Sequence, residues 1–323
     1  MKTTVPVLRK LFLFIFLLST LAGIGQITIS GNDMSEKAGK SYTKTYPVSG
    51  SEKITVSNRF GKMLIKTWDK NEVKVDVNIE VGTSSKEYSQ YVLNKINIID
   101  GKTADSISFK TKIENLNYGG DDNNDKYQNI QIDYEIHVPR NIKLAAENSF
   151  GPLSIEDYTG EVELFCKYGT LTAGKLENAK KVTIEFGKGY MNALNNTNLF
   201  FKYSKIDIKH LAGTIIGQFE FCSAVDIEID NKVKSLDLKS NYTTFNIGLD
   251  KGIAADYNIV TNNGRLSSGF VDIKEDKSDK PSKETNSFYN SNYSSVHRYS
   301  GSIGSGGGTQ INIKTNFGSV KMM

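Results

Sequence analysis

Apolar and polar residues alternate along most of this chain, and the alternation recurs at a fixed step. In Glu147–Ile155, read ENSFGPLSI, an aromatic residue is followed by glycine and then by apolar side chains three and five positions on. With Phe150 as origin, apolar or small residues stand six and four positions before it (Leu144, Ala146) and three, five and eight after it (Leu153, Ile155, Tyr158). Moving the origin 18 residues to Tyr168 finds Val162, Leu164, Leu171, Ala173 and Leu176, and another 18 to Phe186 finds Val182, Met191 and Leu194. Tyr203 and Tyr242 repeat the frame, and Phe221 repeats it with a one-residue slip. So do Phe60 near the start, among Ile54, Val56, Met63 and Ile65, and Phe317 near the end, among Ile311, Ile313, Val320 and Met322.

Alternation at period two predicts strands rather than helices. A unit of about 18 residues with two short strands cannot bury its own apolar face, so its copies must stack, which is the mark of a solenoid. The expected fold is all-β: a parallel β-solenoid with coils of about 18 residues spaced about 4.8 Å apart. Equivalent side chains then lie rung upon rung. Phe60, Phe150, Tyr168, Phe186, Tyr203, Phe221, Tyr242 and Phe317 are expected to form a structural aromatic ladder that takes the place of a globular centre. The competing architecture is an antiparallel sandwich, whose strands also alternate but have no reason to repeat an aromatic at a fixed step.

The frame divides the chain. Residues 1–25 combine Lys2, Arg9 and Lys10 with the apolar run Leu11–Leu18 and then small residues, the plan of a secretory signal peptide. No cysteine stands near Gly25 for lipid attachment, and no later segment reaches membrane-spanning length. Residues 26–50 read as a polar lead-in, with an edge strand over Tyr42–Val48. Residues 51–143 hold the first coil and then an excursion that covers the N-terminal end of the stack. Within it, Tyr88, Tyr91, Val92 and Ile96 predict a short helix capped by Ser84 or Ser85. Strands are expected at Lys95–Ile99, Ser106–Lys112 and Gln128–Val138. Residues 144–272 are the repeats, 273–308 a mobile insertion rich in Ser, Asn and Gly, and 309–323 the closing coil. The tyrosines of the insertion also suit an adaptable binding loop.

Charge and cysteines narrow the function. The formal net charge of +4 falls to about +1 without the signal segment, so no field attracts nucleic acid. Lysines alternate with acids along the strands, as on a solvated face. Cys166 falls on an inward slot and Cys222 three coils away, about 14 Å at that rung spacing, beyond the ~7 Å Cα separation of a disulfide. Two free, non-catalytic thiols are expected.

Candidate chemistry is sparse. His137, His210 and His297 lie apart with no metal-ligand spacing, and no cofactor fingerprint is present, so no cofactor is expected. Asp121, Asn123 and Asp125 alternate as in a calcium loop, but Lys126 stands at the glycine position and Ile132 at that of the bidentate glutamate, leaving an acidic hairpin tip or an adventitious Ca²⁺ site. The catalytic option is a polysaccharide-active β-helix enzyme, which needs carboxylates in one outward column. Glu161, Glu163, Glu185, Asp207, Glu220 and Asp226 face outward without sharing one slot of the frame. The enzyme reading is therefore set aside.

The stretches NRFGKMLIKTWDKNEVKVDV (Asn58–Val77), YEIHVP (Tyr134–Pro139), ENSFGPLSIEDYTGEVEL (Glu147–Leu164) and KYGTLTAGKLENA (Lys167–Ala179) resemble the bacterial "putative adhesin" family of exported β-solenoids, common in Bacteroidota and related to the head GIN domain. The resemblance runs from Tyr42 to Met323, with TWDKNEVKV its most specific part. It implies a right-handed solenoid at the cell envelope, in the periplasm or on the cell surface, with no catalytic residues to carry over. The expected role is a non-enzymatic adhesin or scaffold that binds a protein or glycan along its flank; an envelope regulatory or stress-response protein is the other non-catalytic option.

Overall fold

In the computed structural model, residues 36–115, 129–269, 273, 275–276 and 295–323 are described. Wherever apolar and polar residues alternate, the chain is extended. It forms one sheet of 20 strands, mostly parallel, which does not close on itself. The first strands are β1 (Glu36–Pro47), β2 (Lys53–Arg59), β3 (Met63–Trp68) and β4 (Glu72–Thr83). Helix α1 (Lys86–Asn94) follows, with Ser85 as its N-cap: Ser85 Oγ accepts from the Tyr88 N–H at 3.1 Å. Next come β5 (Ile96–Lys102), β6 (Ser106–Ile113), β7 (Asn129–Pro139), β8 (Lys143–Ser149), β9 (Leu153–Ile155) and β10 (Tyr158–Lys167). Four long strands then each supply two rungs: β11 (Thr170–Glu185), β12 (Lys188–Lys202), β13 (Lys205–Glu220) and β14 (Ala224–Asn241). The remainder is β15 (Phe245–Leu249), β16 (Ala255–Asn262), β17 (Leu266–Ser268), β18 (Val296–Ile303), β19 (Thr309–Asn316) and β20 (Val320–Met322).

Pairing arranges these strands in two stacks. One runs β6, β2, β8, β10, then the second halves of β11 to β14, then β19 and β16, all parallel. The other runs β7, β3, β9, the first halves of β11 to β14, then β15, β20 and β17, again parallel. Leu171 pairs with Leu153 on one side and Gly189 on the other, the step seen in the sequence, whereas Val182 pairs with Leu199 and Gly217 with Leu238 at other spacings.

Because register is kept, one side chain of each strand repeats at one depth. Val56, Ala146, Leu164, Val182, Leu199, Gly217, Leu238, Ile313 and Ile259 form one such inward column. Glycine occurs there because a Cβ on Gly217 would stand 2.4 Å from the ring of Phe219, which already fills the space. A second column, Asn58, Asn148, Cys166, Ile184, Phe201, Phe219, Ser240, Thr315 and Thr261, is apolar in the middle and polar at both ends. The buried polar ends are satisfied, as burial requires. Asn58 Nδ2 donates to Asn148 Oδ1 at 3.1 Å, Thr111 Oγ1 to Asn58 Oδ1 at 2.9 Å, and Ser240 Oγ to Thr315 Oγ1 at 2.8 Å.

Both ends of the stack are antiparallel. At the N-terminal end β5 lies against β6, and β4 pairs with both β7 and β1. At the other end β18 lies against β16. Three sequence expectations change here. The lead-in is extended from Glu36, not from Tyr42, because backbone pairing with β4 orders a polar strand in which only Ala38 is buried. The insertion read over 273–308 contains β18, which needs only Tyr299 and Ile303 buried because an outermost strand covers one face. The segment read as the closing coil is not outermost: β19 lies between β14 and β16, and β20 between β15 and β17. All coils share one frame, so chain order does not dictate stacking order. The signal segment and Asp121, Asn123 and Asp125 lie outside the described residues.

Candidate functional site: an exposed aromatic ridge and the strand face beside it

Between the two stacks the chain bends once per coil, and an aromatic residue sits at the bend. Phe60, Phe150, Tyr168, Phe186, Tyr203, Phe221, Tyr242 and Phe317 all have φ between 50° and 64°. That is the left-handed region, in which an ordinary side chain crowds its own backbone. Backbone bonding continues through the bend: Phe150 N–H donates to Lys167 O (2.8 Å), Tyr168 to Glu185 O (3.0 Å), Phe186 to Lys202 O (3.0 Å) and Tyr242 to Asn316 O (2.8 Å). The rings therefore repeat at strand spacing. Their centroids are 4.8 to 5.2 Å apart and their planes within 17° of parallel.

This column is outside the protein, not at its centre. Seven of its rings are between 42% and 51% exposed and Phe60 is half-buried. The expectation of an internal ladder thus fails on one point of backbone geometry. At the bend the left-handed residue turns its side chain away from the core, which the strand side chains on either side fill. The positive φ belongs to the aromatic residue and not to the glycine that follows it. Glycine is required for a different reason. A Cβ on Gly151 would stand 2.0 Å from Gly61 O, one on Gly169 2.0 Å from Gly151 O, and one on Gly187 2.2 Å from Gly169 O. Where glycine is absent, small residues stand in its place: Ser204 Oγ donates to Lys202 O at 2.6 Å, and Cys222 N–H donates to Thr243 Oγ1 at 3.1 Å.

The ridge ends at both extremities. Beyond Phe317 the equivalent residue is Asn263, also left-handed at φ 53° but not aromatic. At the other end the Arg59 guanidinium lies 5.1 Å from the Phe60 ring centre.

On the strand face the residues just before the rings form a second column: Ser149, Lys167, Glu185, Lys202, Glu220, Asn241 and Asn316. Charges alternate and pair, Lys167 with Glu185 at 3.1 Å and Lys202 with Glu220 at 3.0 Å. Further along, Asn316 Nδ2 donates to Asn241 Oδ1 at 2.8 Å. Lys239 and Lys314, register partners, rise beside these amides. Together with Gln218 and Glu220 they line an open groove of about 360 Å³.

The outward carboxylates do share slots. Asp207 and Asp226 are register partners, and Glu185 and Glu220 occupy one column, two rungs apart. The one-residue slip at Phe221 hid the Asp207–Asp226 match in the sequence, whereas Glu185 and Glu220 each stand directly before a ring, in one slot of the frame. Asp207 is taken up by Lys209 at 3.0 Å, and Asp226 Oδ1 accepts from Asn246 Nδ2 at 2.7 Å. Both cysteines are free and buried. Burial pushes the Cys166 thiol up to about 11 and also raises Cys222, the opposite of what a nucleophile needs. Among the described residues no three His, Cys, Asp or Glu side chains converge to hold a metal ion, and no helix is long and apolar enough to cross a membrane.

No family model matches the chain, and no curated protein does. Among solved structures the chain is similar to a "putative adhesin" from Bacteroides fragilis, at 10% identity over 88% of this chain and 97% of that one, with a TM-score of 0.34. It is also similar to a "putative adhesin" from Parabacteroides distasonis (11% identity, 88% and 98% covered, TM-score 0.31). A third is a "putative cell adhesion protein" from Clostridium sporogenes (13% identity, 88% and 98% covered, TM-score 0.25).

Proposed function

We propose that the chain is an exported, non-enzymatic protein of the cell envelope, a right-handed parallel β-solenoid of about 18-residue coils, acting as an adhesin or scaffold. In this reading the excursion within 51–143 covers one end, and the flank holds an extended glycan or protein partner. One observation carries it: the strand face beside the ridge repeats its polar groups in register, with Gln218, Lys239 and Lys314 on one row and Asn241 and Asn316 on the next. Such a surface suits a partner that is itself extended and periodic. Amides bridge hydroxyls or peptide groups, and two adjacent lysines with no carboxylate within ion-pair distance among the described residues favour anionic residues among them.

A glycan array probed with the purified protein, together with surface-protease accessibility on intact cells, tests this. Retention on extended anionic glycans that weakens in the Lys239→Gln, Lys314→Gln double variant supports it. A blank array, or reducing ends accumulating from a polysaccharide panel, counts against it; the latter favours the glycan-active enzyme.

A further inference from the structure

The ridge itself is left over from that reading. Seven aromatic residues, each about half exposed, with the half-buried Phe60 at one end, leave roughly 700 Å² of aromatic surface in single file, at about 200 Å² for a whole side chain. Soluble monomers seldom expose a contiguous apolar patch of more than a few hundred Å² without a use for it. The residues also hold left-handed backbone that costs energy at every rung, a feature that gathers at functional surfaces.

The geometry decides what kind of partner the ridge fits. Rings stacked at 4.8 to 5.2 Å cover one another's faces and present their edges. A sugar docks on a ring face, so a glycan finds no platform here. Phe and Tyr alternate along the ridge without a code that a particular protein sequence could match, so the partner must be uniform along its length. The positions two residues past the bends include Lys62, Lys188, Lys205 and Arg265 and no acid; Lys62 is paired with Asp133 at 3.6 Å, which leaves Lys188 and Lys205 as the cations that matter. Lys188 and Lys205 are register partners, both exposed, and neither makes an ion pair among the described residues. A second copy would bring the same cations face to face.

We propose that this ridge docks on an anionic lipid surface, the ring edges entering the boundary between headgroups and acyl chains and the lysines beside them meeting lipid phosphates. Aromatic side chains and flanking lysines divide between those two zones in the same way on other interfacial proteins. The inference goes beyond the flank reading and uses a different surface. With the ridge on lipid, the strand face remains free for its own partner.

The test is sedimentation of the full-length mature protein with vesicles of phosphatidylglycerol mixed with phosphatidylcholine, and with vesicles of phosphatidylcholine alone. Three proteins are compared: wild type, Phe186→Asn with Tyr203→Asn, and Lys188→Gln with Lys205→Gln. Asparagine is chosen because Asn263 occupies the same left-handed position natively. The wild type should bind the anionic vesicles and bind phosphatidylcholine poorly. Each lysine removed should lower affinity about fivefold, with the difference shrinking as salt is raised. The ring variant should lose about tenfold on the anionic vesicles. The lysine variant leaves every ring and core residue in place, so its loss cannot come from unfolding, and an unchanged circular dichroism spectrum qualifies the ring variant. Failure of the wild type to bind, binding that both variants retain, or equal binding to both vesicle types would overturn the proposal. None of these results bears on Lys239 and Lys314, so the flank reading stands or falls separately.

Discussion

Aromatic rings meet in two regions of this protein, a file along the outside and a cluster of three inside, and they are packed in opposite ways. Inside, Phe201, Phe219 and Phe245 are fully buried and meet nearly edge to face, at 71° and 88°. Outside, the ridge rings are within 17° of parallel. The interior rings stand on ordinary strand backbone, where a rotamer can turn each ring toward the T-shaped arrangement that its quadrupole favours. Each ridge ring stands on the same left-handed bend, so its orientation is copied from rung to rung. The energetics diverge as well. A left-handed non-glycine residue costs about 1–2 kcal/mol, and a stacked ring pair returns about 0.5–1.5 kcal/mol. Along the ridge these terms nearly cancel, so the interior rings contribute the larger share of stability and the ridge is available for contact.

That contrast can be broken by mutation. Phe219→Ala removes a ring packed between Phe201 and Phe245. It should lower unfolding free energy by about 3–5 kcal/mol, read from the urea midpoint at constant slope. A loss no larger than that of a ridge ring would erase the distinction. Tyr203→Ala, which gives up two stacking contacts but keeps the bend, should cost about 1–3 kcal/mol. Tyr203→Asn should cost about 1 kcal/mol less than alanine, because asparagine tolerates the left-handed region. Equal costs for the two substitutions would mean that backbone strain has no part in the ridge.

Much of the strand content was legible in the sequence, because burial at period two writes strands into the order of side chains and the recurring step matches part of the register. Leu153, Leu171 and Gly189 pair as that step requires. Two kinds of feature were not legible. Side-chain pattern carries no sign of φ, so Phe150 and Tyr168 could be placed on successive rungs but not inside or outside, and the glycine that follows each gives no sign in the sequence that its constraint is the carbonyl of the preceding coil. Pattern also fixes which coils are compatible rather than which are neighbours. The equivalent frames around Ile313 and Ile259 gave no hint that the last coil of the chain sits inside the one before it. Polar edge strands such as β1 and β18 take their order from backbone pairing, to which hydrophobic periodicity is blind.

Tyrosine nitration of the native protein, with the modified sites mapped by mass spectrometry, tests the placement of the ridge most directly. Tyr168, Tyr203 and Tyr242 stand on it, about half exposed, while Tyr134 and Tyr158 are buried, the Tyr134 hydroxyl pushed up to about 12 by that burial. The account predicts that the first three are modified under native conditions and that the other two react only after unfolding. Protection of all five, or modification of Tyr158 as fast as Tyr203, would contradict it.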